Sequence, residues 1–201
     1  MNQKERMLSG LPYLANEDGL FEERQRAKEL CYRINNCMPS DVDTRNKYLS
    51  VLIPNAKGNF YIEPPFRCDY GANIILGENF YANYNLTVLD CARVVIGDNV
   101  LIAPNVCITT AGHPIHYMSR RKYEYADEIT IGNNVWIGAN VVINPGVKIG
   151  DNSVIGSGSV VTKDIPSDVV AVGNPCRVLR EITDADREYY YKDRKFDVED
   201  Y

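Results

Sequence analysis

Apolar residues recur at every sixth position through much of the second half of the chain. From residue 131 to residue 166, six consecutive hexads begin with Ile131, Ile137, Ile143, Ile149, Ile155 and Val161. A glycine, asparagine or threonine directly follows each of these residues. A small or branched residue stands four positions after each of them. A period of six fits neither an amphipathic helix nor an alternating strand sustained over this length. It predicts short strands joined by turns, stacked so that the aliphatic side chains form an inward column and a glycine or asparagine adopts the backbone conformation of the corner.

The same period extends towards the amino terminus and is interrupted once. It continues through Ile96, Ile102 and Ile108, and less regularly through Leu76, Ala82 and Val88. Between the hexad that ends at His113 and the one that starts at Ile131 lie seventeen residues, PIHYMSRRKYEYADEIT. They cannot all belong to the coil, so we expect an excursion loop at about 114–130. Long loops that leave a rigid scaffold often carry function.

Other patterns flank the coil. Residues 20–37 contain helix formers with apolar residues near one face, and residues 40–53 predict a second helix, capped by Ser40 or Asp41 and ended by Pro54. The charged, tyrosine-rich carboxyl terminus predicts a surface helix followed by a loose end. The chain is therefore divided into an N-terminal helical cap segment (1–55), a β-helix domain (56–182) and a C-terminal charged tail (183–201). The predicted fold class is mainly β, a parallel β-helix of hexapeptide repeats.

Composition narrows the function classes. The chain has 201 residues, of which 45% are hydrophobic and 24% charged, as in ordinary globular proteins. A net charge of -5 argues against nucleic-acid or anionic-lipid partners held by electrostatics. The charged start, MNQKERM, precedes no long apolar run, so we expect a cytoplasmic protein without signal peptide or membrane span. The six cysteines form no CxxC pair and are expected to be free thiols.

The chain has two histidines, His113 and His116. His113 is the last residue of a hexad, at the point where the chain leaves the predicted coil for the excursion loop. A rigid corner beneath a flexible cover suits a group that transfers protons. From the residues alone, however, a hydrogen-bonded turn residue is the simpler interpretation of His113.

Five segments together carry a resemblance to a known family: NFYANYN (79–85), IGDNVLIAPNV (96–106), AGHPIH (111–116), ITIGNNVWIGANVVINPGVKIGD (129–151) and GNPCRVLREI (173–182). The chain resembles the maltose/galactoside O-acetyltransferases of the hexapeptide-repeat acyltransferase superfamily over nearly its whole length. The resemblance implies a left-handed coil, although parallel crossovers are otherwise right-handed. It also implies a homotrimer whose active sites lie between neighbouring coils, each covered by the excursion loop of one subunit.

The resemblance further implies an acetyl-CoA-dependent O-acetyltransferase of sugars. His113 is then the general base for direct attack of a hydroxyl on the thioester, and the backbone amide of Ala139 stabilises the oxyanion. Asp69 and Asn83 would bind the acceptor, since an amide and a carboxylate suit sugar hydroxyls. Two alternatives remain open: Asn83 as a coil-corner asparagine and Asp69 as a turn cap.

The coenzyme A site that the resemblance implies comprises Trp136, Ala139, Ser157, Thr162, Lys163, Arg177 and Arg180. Thr162, Lys163 and the two arginines supply donors and positive charge for phosphates, and Ser157 and Ala139 line the pantetheine arm. Each basic residue taken singly is better explained as solvated surface charge, but four such groups at matching positions weaken that explanation. Trp136 fits a pantetheine or interface wall and plain exterior packing equally well.

Two positions depart from the galactoside pattern. Relatives that acetylate galactosides carry aspartates where Ala15 and Cys91 stand here, which leaves the acceptor open. The alternatives are an acetyltransferase of an antibiotic or another small hydroxyl or amino acceptor, and a non-catalytic trimeric scaffold. A zinc carbonic anhydrase on the same kind of coil needs three histidines, but this chain has two, separated only by Pro114 and Ile115. We therefore expect no metal requirement.

Overall fold

The computed structural model describes residues 1–198, in which each turn of a central coil contributes one strand to each of three parallel sheets. Sheet one contains Asn55–Ala56, Ile74–Leu76, Val94–Ile96, Ile129–Ile131 and Lys148–Ile149. Sheet two contains Phe60–Ile62, Phe80–Ala82, Leu101–Ile102, Trp136–Ile137, Val154–Ile155 and Val169–Val172, and ends with the antiparallel strand Arg177–Glu181. Sheet three contains Arg67–Cys68, Thr87–Leu89, Cys107–Thr109, Val142–Ile143 and Val160–Val161.

The hexad pattern sets the register of the sheets. Ile137, for example, pairs with Ile102 in the coil before it and with Ile155 in the coil after it. The six aliphatic residues that begin the hexads from 131 to 166 are each at most 1% exposed. They form one continuous core with the helices at the amino-terminal end. The predicted inward column is confirmed.

The corners differ in one detail from the sequence prediction. The residue directly after each aliphatic does not adopt the left-handed conformation. An asparagine three positions after the aliphatic does, as at Asn134 (φ 56°) and Asn140 (φ 58°). The glycine is needed for space instead: a Cβ on Gly138 would lie 2.6 Å from the backbone nitrogen of Ser157 in the next coil. The left-handed asparagines are suited to their place because they tolerate positive φ and their amides bond from coil to coil, as Asn134 does with Asn152 at 2.9 Å.

Four α-helices lie within the described residues: α1 (Gln3–Leu8), α2 (Leu20–Asn35), α3 (Val42–Leu52) and α4 (Tyr117–Arg120). Helices α2 and α3 match the sequence prediction, and the side chain of Asp41 caps α3 by accepting from the Thr44 amide. Both helices pack on the first coil through residues such as Ile34 and Leu49. Helix α1 was not predicted, although its capping box of Asn2 and Glu5 is visible in the sequence.

The predicted surface helix in the tail is wrong. A short 3₁₀ helix, Asp184–Arg187, is followed by the antiparallel strands Tyr189–Tyr191 and Arg194–Lys195. Three consecutive tyrosines favour a strand over a helix, which explains the difference. Residues 199–201 of the predicted tail lie outside the described residues. Within residues 1–198, none of the helices is long and apolar enough to cross a membrane.

Candidate active site

His113 lies at the base of the excursion, beyond a narrow two-stranded neck. Ala111–Gly112 pairs with the antiparallel strand Tyr125–Ala126, and the Tyr125 ring covers Gly112 so closely that a Cβ there would lie 2.5 Å from Cζ. The coil resumes at Ile129, which pairs with Val94. His113 itself is exposed, so its imidazole is accessible from solvent while its backbone is tied to the neck.

The amino-terminal segment holds the far end of the excursion. The Tyr13 amide donates to the Glu124 carbonyl at 2.9 Å, and the Glu124 amide donates back to the Tyr13 carbonyl at 3.1 Å. The Tyr13 hydroxyl also donates to Glu124 Oε2 at 2.9 Å. Tyr13 is fully buried, and burial raises the pKa of its hydroxyl. The loop therefore leaves and re-enters the coil between two fixed points.

Asp69 lies in a half-buried polar cluster near this segment. Cys91 Sγ donates to Asp69 Oδ2 at 3.5 Å. Burial raises the pKa of Asp69, while the Cys91 hydrogen bond and the nearby Arg24 guanidinium oppose this shift. Arg24 in turn donates to the Tyr70 hydroxyl at 2.7 Å and to the Ala15 carbonyl at 2.6 Å. The two positions that depart from the galactoside pattern thus both border Asp69 or its partners.

Asp90 is a residue that the sequence did not single out. It is fully buried at an inward coil position, where its carboxylate accepts from the amides of Asp69 (3.0 Å), Tyr70 (2.8 Å) and Asn73 (3.3 Å). These bonds fix the turn that carries Asp69. The sequence contained a signal for this residue. Asp90 occupies the position equivalent to that of the buried Thr110 in the next coil, so a carboxylate stands at an inward site. Burial raises the pKa of Asp90 to about 7, against the lowering effect of the amide donors.

A neutral replacement of Asp90 tests this shift. The folded pKa lies above the unfolded value, so the contribution of Asp90 to stability is complete below pH 4 and is lost as pH rises through 7. Between pH 5 and 7 we expect the unfolding free energy of the parent protein to fall by about 2 kcal/mol relative to Asp90→Asn. Urea unfolding of both proteins at several pH values measures this. Parallel pH profiles would contradict the assignment.

The predicted site residues fall on two different edges of sheet three. The edge where the chain passes from sheet three to sheet one, here the base edge, carries Asp69, His113, Thr162 and Lys163. The edge where the chain passes from sheet two to sheet three, here the amide edge, carries Asn83, Ala139 and Ser157. One strand of sheet three separates the two sets. A single chain therefore places Asp69 on the same edge as His113, and Asn83 and Ala139 on the other edge.

Local contacts occupy several groups on the amide edge. The Ala139 amide, predicted to bind the oxyanion, donates to Ser157 Oγ at 3.1 Å. Asn83 Oδ1 accepts from the Tyr84 amide at 2.7 Å, but Asn83 is not one of the corner asparagines with positive φ. Ser157 and Ala139 stack one coil apart on this edge.

The remaining predicted residues lie on strands of sheet two. Trp136 is 53% exposed on its outer face. Arg177 and Arg180 lie on the final strand, and Arg180 forms a bidentate ion pair with Asp186 at 2.7 and 2.8 Å. Arg177 donates to the Cys176 carbonyl at 2.7 Å. The Arg180 guanidinium is thus already paired with a carboxylate within the chain.

Comparison with known proteins places the chain in a family. Residues 6–57 match the maltose acetyltransferase hexapeptide capping motif, and residues 128–163 match the bacterial transferase hexapeptide with six repeats. The galactoside O-acetyltransferase of Escherichia coli (strain K12) is 53% identical over 196 residues, which is 97% of each chain. This chain belongs to the maltose/galactoside O-acetyltransferase family. The predicted acyltransferase class and left-handed β-helix fold are thereby confirmed.

Solved structures of the maltose/galactoside O-acetyltransferase family superpose closely on this chain. A galactoside acetyltransferase in complex with coenzyme A has a TM-score of 0.95 at 52% identity, covering 98% of this chain and 100% of the other. A maltose O-acetyltransferase from Clostridium difficile 630 has a TM-score of 0.89 at 50% identity, covering 92% and 99%. The predicted co-substrate, coenzyme A, is present in the first of these structures.

A cleft of about 590 Å³ adjoins Asp69 in this member of the maltose/galactoside O-acetyltransferase family. It lies between α2 and the outer face of sheet three and is bordered by residues that include Lys28, Cys31, Arg67, Cys68 and Asp69. Both cationic and carboxylate groups therefore face the same space. Among residues 1–198, no group of three or more His, Cys, Asp or Glu side chains could hold a metal ion.

Proposed function

We propose that this protein transfers an acetyl group from acetyl-CoA to a hydroxyl of a maltose-, glucose- or galactoside-like sugar, with His113 as general base. The observation that carries the proposal is the placement of an exposed imidazole on a rigid neck in a chain of this family. Neutral His113 accepts the hydroxyl proton as the oxygen attacks the thioester carbonyl. The C–S bond then breaks, and coenzyme A leaves as the thiol after taking a proton.

The other residues of the base edge and the amide edge, together with those of sheet two, take the remaining roles in the proposed reaction. The Ala139 amide donates to the developing oxyanion once the Ser157 hydroxyl rotates away. Asp69 and Asn83 bind the sugar hydroxyls. Trp136 and Ser157 line the pantetheine arm, while Thr162, Lys163, Arg177 and Arg180 bind the phosphates, with Arg180 exchanging Asp186 for a phosphate.

A homotrimer completes this site. The base edge carries His113 and Asp69, and the amide edge carries Asn83 and Ala139, on opposite sides of a sheet-three strand within one chain. When the base edge of one protomer meets the amide edge of the next, all four residues surround one space. Repeating that contact around a threefold axis closes a ring with three equal sites. We place this trimer in the cytoplasm.

Mixed oligomers test the shared site. His113→Ala and Asn83→Ala each remove one half of every site, so both pure variants lose activity. After the two variants are unfolded together and refolded at equal amounts, each mixed trimer has an intact residue from both protomers at one of its three sites, so the purified mixed trimers regain about one third of the parental sites. Activity of the differently tagged mixture, purified through both tags, measures this. A mixture no more active than its components would place each site within one chain.

The acceptor is tested by a panel of hydroxyl and amino compounds. Acetyl-CoA consumption is followed with maltose, glucose, galactosides and amino-alcohol antibiotics, and the products are identified by mass spectrometry. We expect an O-acetylated sugar. Acetylation of amines alone would favour the antibiotic-type alternative, and the absence of any product, with ligand binding unaffected by His113→Ala, would favour a non-catalytic scaffold.

A further inference from the structure

Two buried thiols meet where the helical cap packs on the coil. Cys31 lies in α2, and Cys68 ends the first strand of sheet three. Their Sγ atoms are 3.8 Å apart, and each residue is only 5% exposed. A disulfide requires about 2.05 Å between the sulfurs, so the pair is less than 2 Å from bonding distance. Small side-chain rotations can close such a gap.

The other cysteines of the described chain have different neighbours. Cys91 donates to Asp69 across the base edge, and Cys37 donates to the Arg33 carbonyl. Cys107 is half-buried on the outer face of sheet three, and its pKa is raised by burial. Cys176 is buried, and its thiol is hydrogen-bonded to Ser159. Within residues 1–198, Cys31 and Cys68 are thus the cysteine pair in direct sulfur contact. A sulfur–sulfur contact is therefore a feature of this pair and not of the other cysteines within these residues.

The two thiols differ in pKa, and both residues border a cleft. The sulfur contact with Cys68 lowers the pKa of Cys31, whereas that same contact and burial raise the pKa of Cys68. Cys31 is therefore the better nucleophile and Cys68 the resolving thiol. Both residues border the 590 Å³ cleft, so the buried sulfurs lie next to a space that a small molecule can enter.

We propose that Cys31 and Cys68 form a reversible disulfide by exchange with a low-molecular-weight disulfide such as oxidised glutathione. The Cys31 thiolate attacks one sulfur of the oxidant, which breaks its S–S bond and releases one thiol. Cys68 then gives up its proton and attacks Cys31 Sγ in the mixed disulfide, which releases the second thiol. The two cysteines are oxidised and the small disulfide is reduced to two thiols. The bond links α2 covalently to sheet three, and the inference does not depend on the proposed acetyl transfer.

Mass spectrometry of the intact, folded protein tests the proposal. After incubation with oxidised glutathione we expect a loss of about 2 Da, reversed by dithiothreitol, together with a cross-linked peptide that joins residues 31 and 68. Cys107→Ser, a change at a cysteine outside the pair, should retain both signals. Cys68→Ser should lose the cross-link and accumulate a glutathione adduct on Cys31 instead.

The parent protein alone can overturn the proposal, so the test does not depend on how the variants fold. If the protein keeps its native circular dichroism after incubation with oxidised glutathione, and peptide mapping finds the thiols of both residues 31 and 68 free, the pair is not an exchange site. A cross-link between any other two cysteines, with residues 31 and 68 still reduced, would also overturn it.

Discussion

Replacing His113 with alanine is expected to lower kcat by about 10²- to 10⁴-fold, the contribution of a positioned general base. Without the imidazole, the attacking hydroxyl must lose its proton to water, which is neither positioned nor held on the rigid neck. The KM for acetyl-CoA should change little, because His113 is not one of the proposed partners of coenzyme A. Steady-state kinetics with the best acceptor from the panel measures both parameters.

His116→Ala is the matched control. His116 is also exposed in the excursion, where its ring stacks on Tyr117 with the centroids 4.9 Å apart. It lies three residues further into the excursion than His113, away from the neck, so we expect near-parental kcat. Equal losses for the two variants would show that the loop needs its histidines for order, and a His113→Ala enzyme with full kcat would remove the general base from the mechanism.

The sequence predicted the parts of the fold that repeat locally. The inward aliphatics, the interruption after Ile108 and the cap at Asp41 all depend on residues close together in the chain. The Tyr13–Glu124 contact was not predictable in this way, because 111 residues separate the two partners and neither belongs to a repeat. The prediction of a helix in the tail was wrong for a related reason. The charges of the tail suggested a helix, whereas the strand preference of three tyrosines and the Arg180–Asp186 pair decided its structure.

The candidate site was predictable in its residue types but not in its arrangement. Since three hexads complete one turn of the coil, residues 18 apart, such as Ala139 and Ser157, lie on the same edge. Counted in hexads without the loop, His113 lies one third of a turn away from the edge of Ala139 and Ser157, so the sequence alone could have divided the site into two edges. The occupied state of the Ala139 amide could not have been foreseen, because it depends on the rotamer of one hydroxyl.

Truncating an inward residue should have a much larger effect on stability than truncating its outward neighbour. Ile102 is 1% exposed and pairs with Ala82 and Ile137, while Leu101 in the same strand is 50% exposed. Ile102→Ala removes buried methyl groups and leaves a cavity in a stack that cannot collapse without shifting both neighbouring coils. We expect a loss of roughly 2–5 kcal/mol in unfolding free energy.

Leu101→Ala removes as many carbon atoms from the same strand and should cost roughly 1 kcal/mol or less, because half of that side chain already faces solvent in the single chain. Urea unfolding at one fixed protomer concentration compares the two variants, since assembly would otherwise change the apparent stability. A Leu101 variant as unstable as the Ile102 variant has one structural meaning: the outer face of sheet two is covered in the assembled protein. Repeating the titration at several protomer concentrations tests that meaning, because an interface contribution varies with concentration and a core contribution does not.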